Sequence, residues 1–531
     1  MTKIESRDSW GAAEASEGSA ETEPDGTRAA DRLASIDVFA LLGLVVLLAF
    51  LWGRGRHVWL WLDEGISVGI SSHSFGDIPA LLRQDGSPPL YYLLLHGWMR
   101  AFGTSDAATH VLSLLFALAT VPAALWAGWS LFGRRAGWMA ATLVAISPYI
   151  GKYANETRMY TLVALLGLLT TATFLHAFVF RRRRHLAAFA VCLALLLYTH
   201  NWAVFLALGL GVALAGLIAL APGDARRGLL LDGALAFGAA AVLYAPWAPS
   251  LAYQLAHTGA PFTLRPTLLD VREDLVDLLG GPQAAIVLGL GSGVAFMTVL
   301  RRPWNPRAVA MLAAIAIVGV AVAAGWALSR QNSVWVYRYL AVVIGPLLLI
   351  FAAGLAEGGR TAVDALGLAV ALVGPIAIKG QPFEKSNVKE VITQLGSELG
   401  PGDLVIADFG RVPVLSHYLP RGLSYAETTG PVSDEKTSDQ RDATRRLEEG
   451  RPQETLRAPL DAVVSGSHVL VVCSAGTLAL DATRFLRLIR ERCDEALSLP
   501  ANDNRFRLVA AVPAPPYGSN SPVDGYLFIR S

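Results

Sequence analysis

The chain has 531 residues, of which 53% are hydrophobic and only 16% are charged, whereas about a quarter of an average soluble domain is charged. This composition argues against a water-soluble globular protein and favours a protein that spans a lipid bilayer. The formal net charge of +1 gives no basic excess of the kind that nucleic-acid binding requires.

The chain begins with a polar leader and continues with a series of apolar runs. Residues 1–35 are rich in Ala, Glu, Asp, Ser and Gly without periodicity, which predicts a disordered cytoplasmic leader. A helix that crosses the bilayer needs about 17–25 residues. About eleven runs qualify, the third of them short: 36–53, 107–131, 136–151, 157–180, 186–202, 203–221, 229–247, 284–300, 308–328, 340–357 and 362–378.

Arginines in alternate connections predict the orientation of these spans. They are Arg134, Arg135, Arg181 to Arg184, Arg226, Arg227, Arg301, Arg302, Arg307 and Arg360. Cytoplasmic connections of membrane proteins are enriched in Lys and Arg. We therefore expect a cytoplasmic N-terminus, and an odd number of spans places the C-terminal domain outside.

The first external loop, about 54–106, is long and rich in charged and aromatic residues. Its segments 58–72 and 88–102 have the pattern of amphipathic helices that lie in the membrane interface. Aromatic side chains are expected at headgroup level there: Trp59, Trp61, Tyr91, Tyr92 and Trp98.

Residues 379–531 predict a soluble extracytoplasmic α/β domain, because strand-like and helix-like segments alternate. The helical segments are 388–398 and 478–493, and the strand-like ones are 403–407, 468–473, 507–512 and 525–529. Residues 430–455 are charged and turn-rich, which predicts a mobile excursion. A Cys473–Cys493 disulfide is possible if this domain lies in an oxidising compartment.

Asp63 and Glu64 form the first candidate site. Adjacent carboxylates at the outer end of the first span are partly desolvated, which raises a carboxyl pKa and favours a general base. The alternative is that both are solvated charges at the start of a short helix.

The segment from Lys152 to Tyr160 is the second candidate. Lys152 and Arg158 lie on the outside, where the orientation rule does not place cations, and either could bind a lipid phosphate. The alternative is a salt bridge of Glu156 with Lys152 or Arg158 that stabilises the turn.

Two further outer span ends carry candidates. Arg338 lies between two tyrosines at the start of a span, where it either binds phosphate or extends to lipid headgroups. His200 lies in a Tyr-Thr-His-Asn-Trp segment and is either a site residue or a structural group. Together the candidates give one acidic and at least two basic elements, which suits a transferase with a lipid-phosphate-linked donor.

At this point the sequence resembles the polytopic GT-C glycosyltransferases (glycosyltransferase family 39-like) related to dolichyl-phosphate-mannose protein mannosyltransferases and bacterial lipid A aminoarabinose transferases. The resemblance lies in short motifs that follow the family's order over about 36–378. They are Leu62-Asp63-Glu64, Ser87-Pro88-Pro89 with Tyr91-Tyr92, Ser147-Pro148, Tyr153-Ala-Asn-Glu156-Thr-Arg158-Met-Tyr160, Tyr198-Thr-His200, Pro246-Trp247 and Arg338-Tyr339-Leu340.

The sequence departs from the family at two places. Thr109-His110 replaces a frequent arginine before the second span, and Asp85-Gly86 precedes the two prolines where relatives often have histidine. No metal-ligand role is therefore carried over to this loop.

The resemblance implies a polytopic α-helical membrane protein with a catalytic domain at 36–378 and the α/β domain at 379–531. Asp63 and Glu64 would be catalytic, with Asp63 activating the acceptor and Glu64 assisting or orienting it. The substrate-binding residues would be Lys152, Glu156, Arg158, Tyr160, His200 and Arg338. The donor would be a polyprenyl-phosphate-linked sugar and the acceptor a lipid, glycan or protein. No cofactor is certain, and a divalent metal remains possible.

The expected location is the bacterial inner (plasma) membrane, with the site on its extracytoplasmic face. Two other functions stay open from the residues alone. A transporter or flippase of lipid-linked sugars should carry charges near mid-bilayer, whereas here they cluster at span ends. A non-catalytic membrane assembly protein would use the tail to bind a partner.

Overall fold

The computed structural model describes residues 24–301, 304–332, 334–379, 385–475, 482–515 and 521–531. The chain divides into two compact units, Met1–Leu47 and Leu48–Ser531. Every candidate site residue lies in the second unit.

Helices make up the first three quarters of the chain. The helices of this part are α1 (Pro24–Trp52), α2 (Leu62–Ser71), α3 (Ile78–Asp85), α4 (Leu90–Phe102), α5 (Asp106–Phe132), α6 (Arg134–Ala145), α7 (Pro148–Tyr153), α8 (Tyr160–Phe174), α9 (Leu186–Leu197), α10 (Ala203–Leu220), α11 (Gly223–Tyr244), α12 (Ala248–His257), α13 (Leu268–Leu278), α14 (Pro282–Arg301), α15 (Pro306–Ser329), α16 (Ala341–Glu357) and α17 (Gly359–Lys379). Short 3₁₀ turns lie at Gly53–His57, Arg183–His185 and Tyr337–Leu340, and a π-helical turn at Leu175–Val179 continues α8.

Among the described residues, seven helical segments are long and apolar enough to cross a membrane. They are Ser35–His57, Asp106–Phe132, Tyr160–Val179, Ala203–Leu220, Gly223–His257, Pro306–Ser329 and Tyr337–Glu357. The pair Leu268–Leu278 and Pro282–Gly293, bent by 78°, makes an eighth if it is one span. The other predicted runs, 136–151, 186–202 and 362–378, are helical without meeting this criterion alone. The polytopic helical fold is therefore confirmed, and the count of eleven stays a prediction.

The predicted leader is only partly described. Residues 1–23 lie outside the described residues, and α1 begins at Pro24, within the segment predicted to be disordered. Pro24 takes the first helical position, where its missing N–H costs nothing. The Ala, Arg and Leu residues that follow have high helix propensity, and this outweighs the polar composition.

Small residues let the central spans pack closely. A Cβ atom on Gly167 of α8 would lie 2.7 Å from the Val342 carbonyl oxygen of α16, and one on Gly345 would lie 2.7 Å from the Leu168 Cβ. Such contacts are typical of helix packing in lipid, where small residues permit close backbone approach. These contacts hold α8 against α16. Tyr160 is the first residue of α8, and Arg338 lies in the turn that precedes α16.

Caps and prolines interrupt the helices at the end of the bundle where the candidate site lies. Ser147 caps α7 by accepting a hydrogen bond from the Ile150 N–H (3.3 Å), and Pro148 is its first residue. The chain leaves this short helix after Tyr153 and re-enters helix only at Tyr160. The intervening turn presents Glu156 and Arg158.

The tail forms a six-stranded mixed sheet covered by helices. Its strands are β1 (Leu404–Ala407), β2 (Ser424–Glu427), β3 (Gly430–Pro431), β4 (His468–Ser474), β5 (Phe506–Val512) and β6 (Val523–Arg530), in the order β3-β2-β1-β4-β6-β5. Strand β1 pairs in parallel with β2 and β4, while the other pairs are antiparallel. The helices of this part are α18 (Val388–Leu395), α19 (Val412–Tyr418), α20 (Ala443–Glu449), α21 (Pro452–Thr455), α22 (Arg457–Ala462) and α23 (Arg484–Ala501), with a 3₁₀ turn at Gly396–Glu398.

The predicted α/β character of the tail is confirmed. The four predicted strands correspond to β1, β4, β5 and β6, and the predicted helix 478–493 corresponds to α23, with 478–481 outside the described residues. Cys473 and Cys493 form a disulfide that joins β4 to α23.

The prediction of a mobile excursion at 430–455 is wrong. This segment contains β3, α20 and α21 and lies against the external loops. The Gln440 N–H donates to the Gln84 carbonyl oxygen (3.2 Å), and the Asp442 N–H donates to that of His257 (2.7 Å). Its polar residues make contacts within the protein, which composition alone could not distinguish from solvation.

The tail packs directly on α2. A Cβ atom on Gly65 would lie 2.6 Å from the Val414 Cα of α19, and one on Gly69 would overlap the carbonyl group of Lys436. Only glycine permits this approach of α19 and the following segment to α2. The first loop and the tail therefore lie on the same side of the bundle.

Most of the aromatic residues of the first loop pack against protein, and the expectation that they lie at headgroup level stays a prediction. Tyr91 and Tyr92 are fully buried. The Trp59 ring stacks on Tyr418 of the tail with centroids 4.1 Å apart, and the Trp98 N–H donates to the Ala108 carbonyl oxygen (2.7 Å). The folded tail supplies partners that the sequence pattern does not reveal.

Candidate active site

Glu64 is the buried centre of a charge network at the start of α2. It is fully buried and reaches back to the Trp61 N–H (3.2 Å), as a residue at the third helical position often does. Its Oε1 accepts from the Thr157 N–H (2.6 Å) and lies 2.7 Å from His110 Nε2, while its Oε2 accepts from Lys385 Nζ (2.8 Å). Both carboxylate oxygens are therefore already bonded within the protein.

The charge state of Glu64 follows from its partners. Burial alone would raise the pKa of its carboxyl, but Lys385 and His110 lower that pKa to about 2. Glu64 is thus ionised at any physiological pH. This is the opposite of the raised pKa expected for a general base at this position.

Asp63, the neighbouring residue, points to different partners. Its Oδ2 lies 3.1 Å from Arg338 Nη2, and both side chains are partly accessible, at 15% and 19%. This atom makes no hydrogen bond among the described residues, so the contact is an ion pair without hydrogen-bond alignment. Asp63 keeps acceptor capacity that Glu64 lacks.

Arg158 lies on the other side of Asp63. Its Nη1 donates to Ser67 Oγ (3.0 Å), to the Tyr92 hydroxyl (3.1 Å) and to the Asp63 carbonyl oxygen (3.4 Å). These three acceptors hold one edge of the guanidinium against α2 and α4. Its Nε has no hydrogen-bond partner in the described part of the chain.

Asp85 is a further acid close to Arg158. It ends α3, and burial raises the pKa of its carboxyl, with Asp63 adding to this while Arg158 and Ser87 oppose it. Gly86 follows in the left-handed conformation with φ 102°, which only glycine adopts readily. That turn directs Ser87 and the two prolines into α4.

Glu156 and Lys152 do not form the salt bridges weighed from the sequence. Glu156 is buried, and its Oε1 has no hydrogen-bond partner among the residues described. Burial raises the pKa of its carboxyl, although Lys385 opposes this. Lys152 is exposed, with its Nζ 5.4 Å from the Tyr153 ring centroid. It lies at the edge of the cluster.

Tyr160 and His200 line the far side of the arginines. The Arg158 guanidinium lies 5.9 Å from the Tyr160 ring, and the Tyr160 and His200 rings are 6.2 Å apart. The Trp202 N–H donates to Nδ1 of His200 (3.1 Å), so this nitrogen carries no proton and the imidazole is neutral. His200 is therefore not a third cation of the site.

Buried polar atoms without hydrogen-bond partners concentrate around these residues. Within the described residues they include Trp61 Nε1, Asp63 Oδ2, Glu156 Oε1, Arg158 Nε, Tyr160 OH and Arg338 Nε. A buried polar group left unpaired costs about 1–3 kcal/mol, and most such groups in proteins are paired. Their concentration here identifies this cluster as the candidate ligand-binding site.

The sequence-predicted residues thus meet in one cluster, but two members were missed. His110 was noted only as a departure from the family, although its Nδ1 lies 2.9 Å from the Arg56 carbonyl oxygen while its Nε2 contacts Glu64. Lys385 follows the last predicted span and gave no signal as a site residue. Both act on Glu64 through contacts between segments far apart in the chain.

Among the described residues, no group of three or more His, Cys, Asp or Glu side chains is arranged to hold a metal ion. The two arginines of the cluster, Arg158 and Arg338, suit a phosphate, because a guanidinium group can bind two phosphate oxygens at once.

Comparison with known proteins identifies the fold. No family model and no curated protein sequence matches the chain. The solved structure of ArnT from Cupriavidus metallidurans in the apo state matches with a TM-score of 0.57 and 14% identity, over 93% of this chain and 98% of that chain. The same protein bound to undecaprenyl phosphate matches with a TM-score of 0.57 and 15% identity, over 92% and 97%. The chain therefore has the fold of ArnT, and the GT-C-like membrane architecture with a C-terminal α/β domain is confirmed.

Proposed function

We propose that the protein is an integral membrane glycosyltransferase. It moves a monosaccharide from a polyprenyl-phosphate donor to a lipid, glycan or protein acceptor on the extracytoplasmic face of the bacterial inner membrane. One observation carries this proposal: Asp63 contacts both Arg158 and Arg338, and each of the three has a buried polar atom without a hydrogen-bond partner among the described residues.

Asp63 and the two arginines have complementary roles in this reaction. Asp63 takes the proton from the acceptor hydroxyl, whose oxygen attacks the anomeric carbon of the sugar. The bond between that carbon and the phosphate oxygen breaks, and the lipid phosphate leaves with the bonding electron pair. Arg158 and Arg338 stabilise the negative charge that develops on the phosphate.

Arg338 is shared between the base and the donor. In the structure its Nη2 contacts Asp63 Oδ2 at 3.1 Å, and a donor phosphate competes for the same guanidinium. Donor binding therefore weakens the ion pair and releases the Asp63 carboxylate to accept a hydrogen bond from the acceptor. We therefore expect the donor to bind before Asp63 activates the acceptor.

The remaining residues support this centre. Glu64 is a positioning residue, because its bonds to Lys385, His110 and the Thr157 N–H hold the start of α2 against the Glu156–Arg158 turn. Tyr160 and the neutral His200 line the phosphate side. We propose that Lys152 and Glu156 contact the donor at the edge of the cluster.

Two observations support a polyprenyl-phosphate donor. ArnT, which has the same fold, has been solved bound to undecaprenyl phosphate. The cluster here contains two arginines at the ends of membrane-length helices, at Tyr160–Val179 and Tyr337–Glu357, where a lipid phosphate would lie.

The proposed sidedness is supported by three features. The Asp63 loop and the tail are in contact, so they share one side of the membrane. The Cys473–Cys493 disulfide suits an oxidising compartment. The connections rich in arginine suit the cytoplasm.

Asp63→Asn tests the proposal with little change in volume. In proteoliposomes with a radiolabelled polyprenyl-phosphate sugar and native membrane acceptor, we expect transfer to fall by about 10²–10⁴-fold, the usual contribution of a general base. Asp77→Asn, a change at an exposed carboxylate of the same loop, is the matched control and should keep full transfer.

Two outcomes would contradict the proposal. Full transfer by Asp63→Asn would remove Asp63 from catalysis. Movement of the lipid-linked sugar across the bilayer by the wild type, with no transfer to an acceptor, would favour a flippase.

A further inference from the structure

A cavity of about 510 Å³ opens between α3 and α12. Its volume lies in the range of about 300–1,000 Å³ that is usual for small-molecule sites. We call it the α3–α12 cavity, because α3 and the segment leading into α12 form its walls and one arginine of the tail closes it. Its principal lining residues are Pro79, Arg83, Gln84, Trp247, Tyr253 and Arg441.

Two arginines meet at one tyrosine in this cavity. The Arg83 guanidinium stacks on the Tyr253 ring at 4.1 Å from its centroid, and Arg441 Nη1 donates to the Tyr253 hydroxyl (3.4 Å). Asp439 accepts two hydrogen bonds from Arg441 (2.8 and 2.7 Å). Arg83 contacts no carboxylate in the described part of the chain, so its charge is available to a ligand.

The wider surroundings are also basic. Arg445 and Arg446 follow Arg441 and share the two carboxylates of Asp439 and Asp442 with it. With Arg83, the cavity region has four arginines against two aspartates. A stacked arginine with free N–H groups suits bidentate binding of a phosphate or carboxylate.

Trp247 gives the cavity an unused hydrogen-bond donor. It lines the wall and is 5% exposed, and its indole N–H has no hydrogen-bond partner among the described residues. The membrane-length segment Gly223–His257 includes this position. The cavity thus combines an aromatic wall with cationic groups at the membrane rim.

The helix α3 lies between this cavity and the Arg158 cluster. Arg83 and Asp85 are two positions apart on α3, which places them on nearly opposite faces. The Asp85 carboxyl interacts electrostatically with Arg158, whereas Arg83 lines the α3–α12 cavity. The side-chain amide of Gln254 fixes this wall by donating to the carbonyl oxygens of Leu82 (2.9 Å) and Ser87 (3.3 Å).

We propose that the α3–α12 cavity binds an anionic group, phosphate or carboxylate, of the acceptor. Arg83 and Arg441 bind the anion, and Trp247 donates a hydrogen bond to a neighbouring polar group. Because Asp85 on the opposite face of α3 is close to Arg158, an acceptor anchored here would extend its hydroxyl past α3 towards Asp63. The assignment to an acceptor rests on the proposed function, while the binding of an anion does not.

Arg83→Gln tests anion binding in the full-length protein in phosphatidylcholine nanodiscs. We would titrate dihexanoyl phosphatidic acid, glucose 1-phosphate and dihexanoyl phosphatidylcholine and measure binding by calorimetry. The wild type should bind the two anions but not phosphatidylcholine, and Arg83→Gln should weaken anion binding by about tenfold or more, as expected for loss of one charge-assisted contact. Arg83→Lys, which keeps the charge, should lie between the two.

Arg272→Gln, a change at an exposed arginine of α13, is the matched control and should bind as the wild type does. Equal binding by Arg83→Gln and Arg272→Gln would overturn the proposal, as would equal affinity for phosphatidylcholine. Tighter binding of phosphatidic acid than of glucose 1-phosphate supports a lipid acceptor, and equal binding supports an acidic glycan.

The acceptor role is tested separately from the proposed function. The anion that binds should slow transfer to the native membrane acceptor in the wild type and in Arg272→Gln, but not in Arg83→Gln. Slowing that is equal in all three proteins would overturn the acceptor role. Asp63→Asn should lose transfer yet bind the anion normally. Transfer by this variant therefore tests the proposed function, whereas anion binding tests the cavity independently.

Discussion

Glu427 shows how one buried side chain affects stability in this fold. It ends β2 and is 8% exposed, and its Oε1 accepts a hydrogen bond from the Gly410 N–H (2.9 Å). Burial raises the pKa of its carboxyl to about 7, with Asp408 adding to the effect and Arg446 opposing it. The folded protein therefore keeps a proton that the unfolded chain loses near pH 4.5.

This difference predicts the pH dependence of stability. The contribution of Glu427 is full below about pH 4.5, falls as the pH rises towards 7, and is constant above that. A shift of this size corresponds to at most about 3 kcal/mol. We expect Glu427→Gln to raise the melting temperature at pH 8 but not at pH 4.5, measured by tryptophan fluorescence of the full-length protein. A gain that is equal at both pH values would contradict the raised pKa.

At this scale, the sequence identifies charged residues but not their partners. Asp63, Arg158 and Arg338 are predictable, because charges at span ends stand out against apolar runs. Glu64 and Asp63 look equivalent in sequence, yet one is fully bonded and the other retains free acceptor capacity. That difference depends on His110 and Lys385, which lie 46 and 321 positions from Glu64, and no local pattern encodes such contacts.

At the scale of elements, the contact of α2 with α19 connects the tail to the catalytic loop. Gly65 lies where any side chain would meet the Val414 backbone. We expect Gly65→Val to separate the two helices, to destabilise the protein by about 1–3 kcal/mol through overpacking, and to lower transfer because α2 also carries Asp63. Transfer activity and the melting temperature measure the two effects.

Gly97→Val is the matched control, since a Cβ atom there meets no atom within 4 Å. It should leave transfer and melting temperature close to those of the wild type. If Gly65→Val behaves in the same way, docking of α19 on α2 is not needed for the site.

The elements themselves follow largely from local sequence. Apolar runs predict the spans, and alternation of strand-like and helical segments predicts β1, β4, β5, β6 and α23. The short α7 and the break before α8 depend on Ser147, Pro148 and the polar turn after them. Both features are harder to predict from the sequence than the long apolar spans. The segment 430–455 was misjudged because a charged surface that packs on another polar surface has the same composition as one that faces water.

At the scale of the whole molecule, Lys385 joins the tail to the centre of the site. Its Nζ donates to Glu64 Oε2 (2.8 Å) and to the Asn155 carbonyl oxygen (2.9 Å). Lys385→Met leaves a fully buried carboxylate with His110 as its remaining charge partner. Removing one member of a buried pair typically costs about 3–5 kcal/mol, and we expect a lower melting temperature together with reduced transfer.

A double-mutant cycle separates the charge effect from lost packing. Glu64→Gln combined with Lys385→Met removes both charges, so the pair should be less destabilised than the sum of the two single variants. Simple additivity of the three melting temperatures would contradict a direct ion pair.

The arrangement of the whole molecule is the part that sequence predicts least. The order of the six strands, with β1 between β2 and β4, depends on pairing between distant segments. The position of the tail over the first loop depends on the close approach of Gly65 and Gly69 to residues more than 340 positions away in the chain. Hydrophobic periodicity does not predict such a long-range contact.

The junction of Lys385 with Glu64 also bears on how the protein is made. The loop that holds Asp63 leaves the ribosome among the first segments, and the tail leaves among the last. Until residue 385 has been synthesised and has reached α2, Glu64 lacks its ammonium partner. At least 385 of the 531 residues must thus be made before the site can assemble, and chains released earlier would lack a complete site.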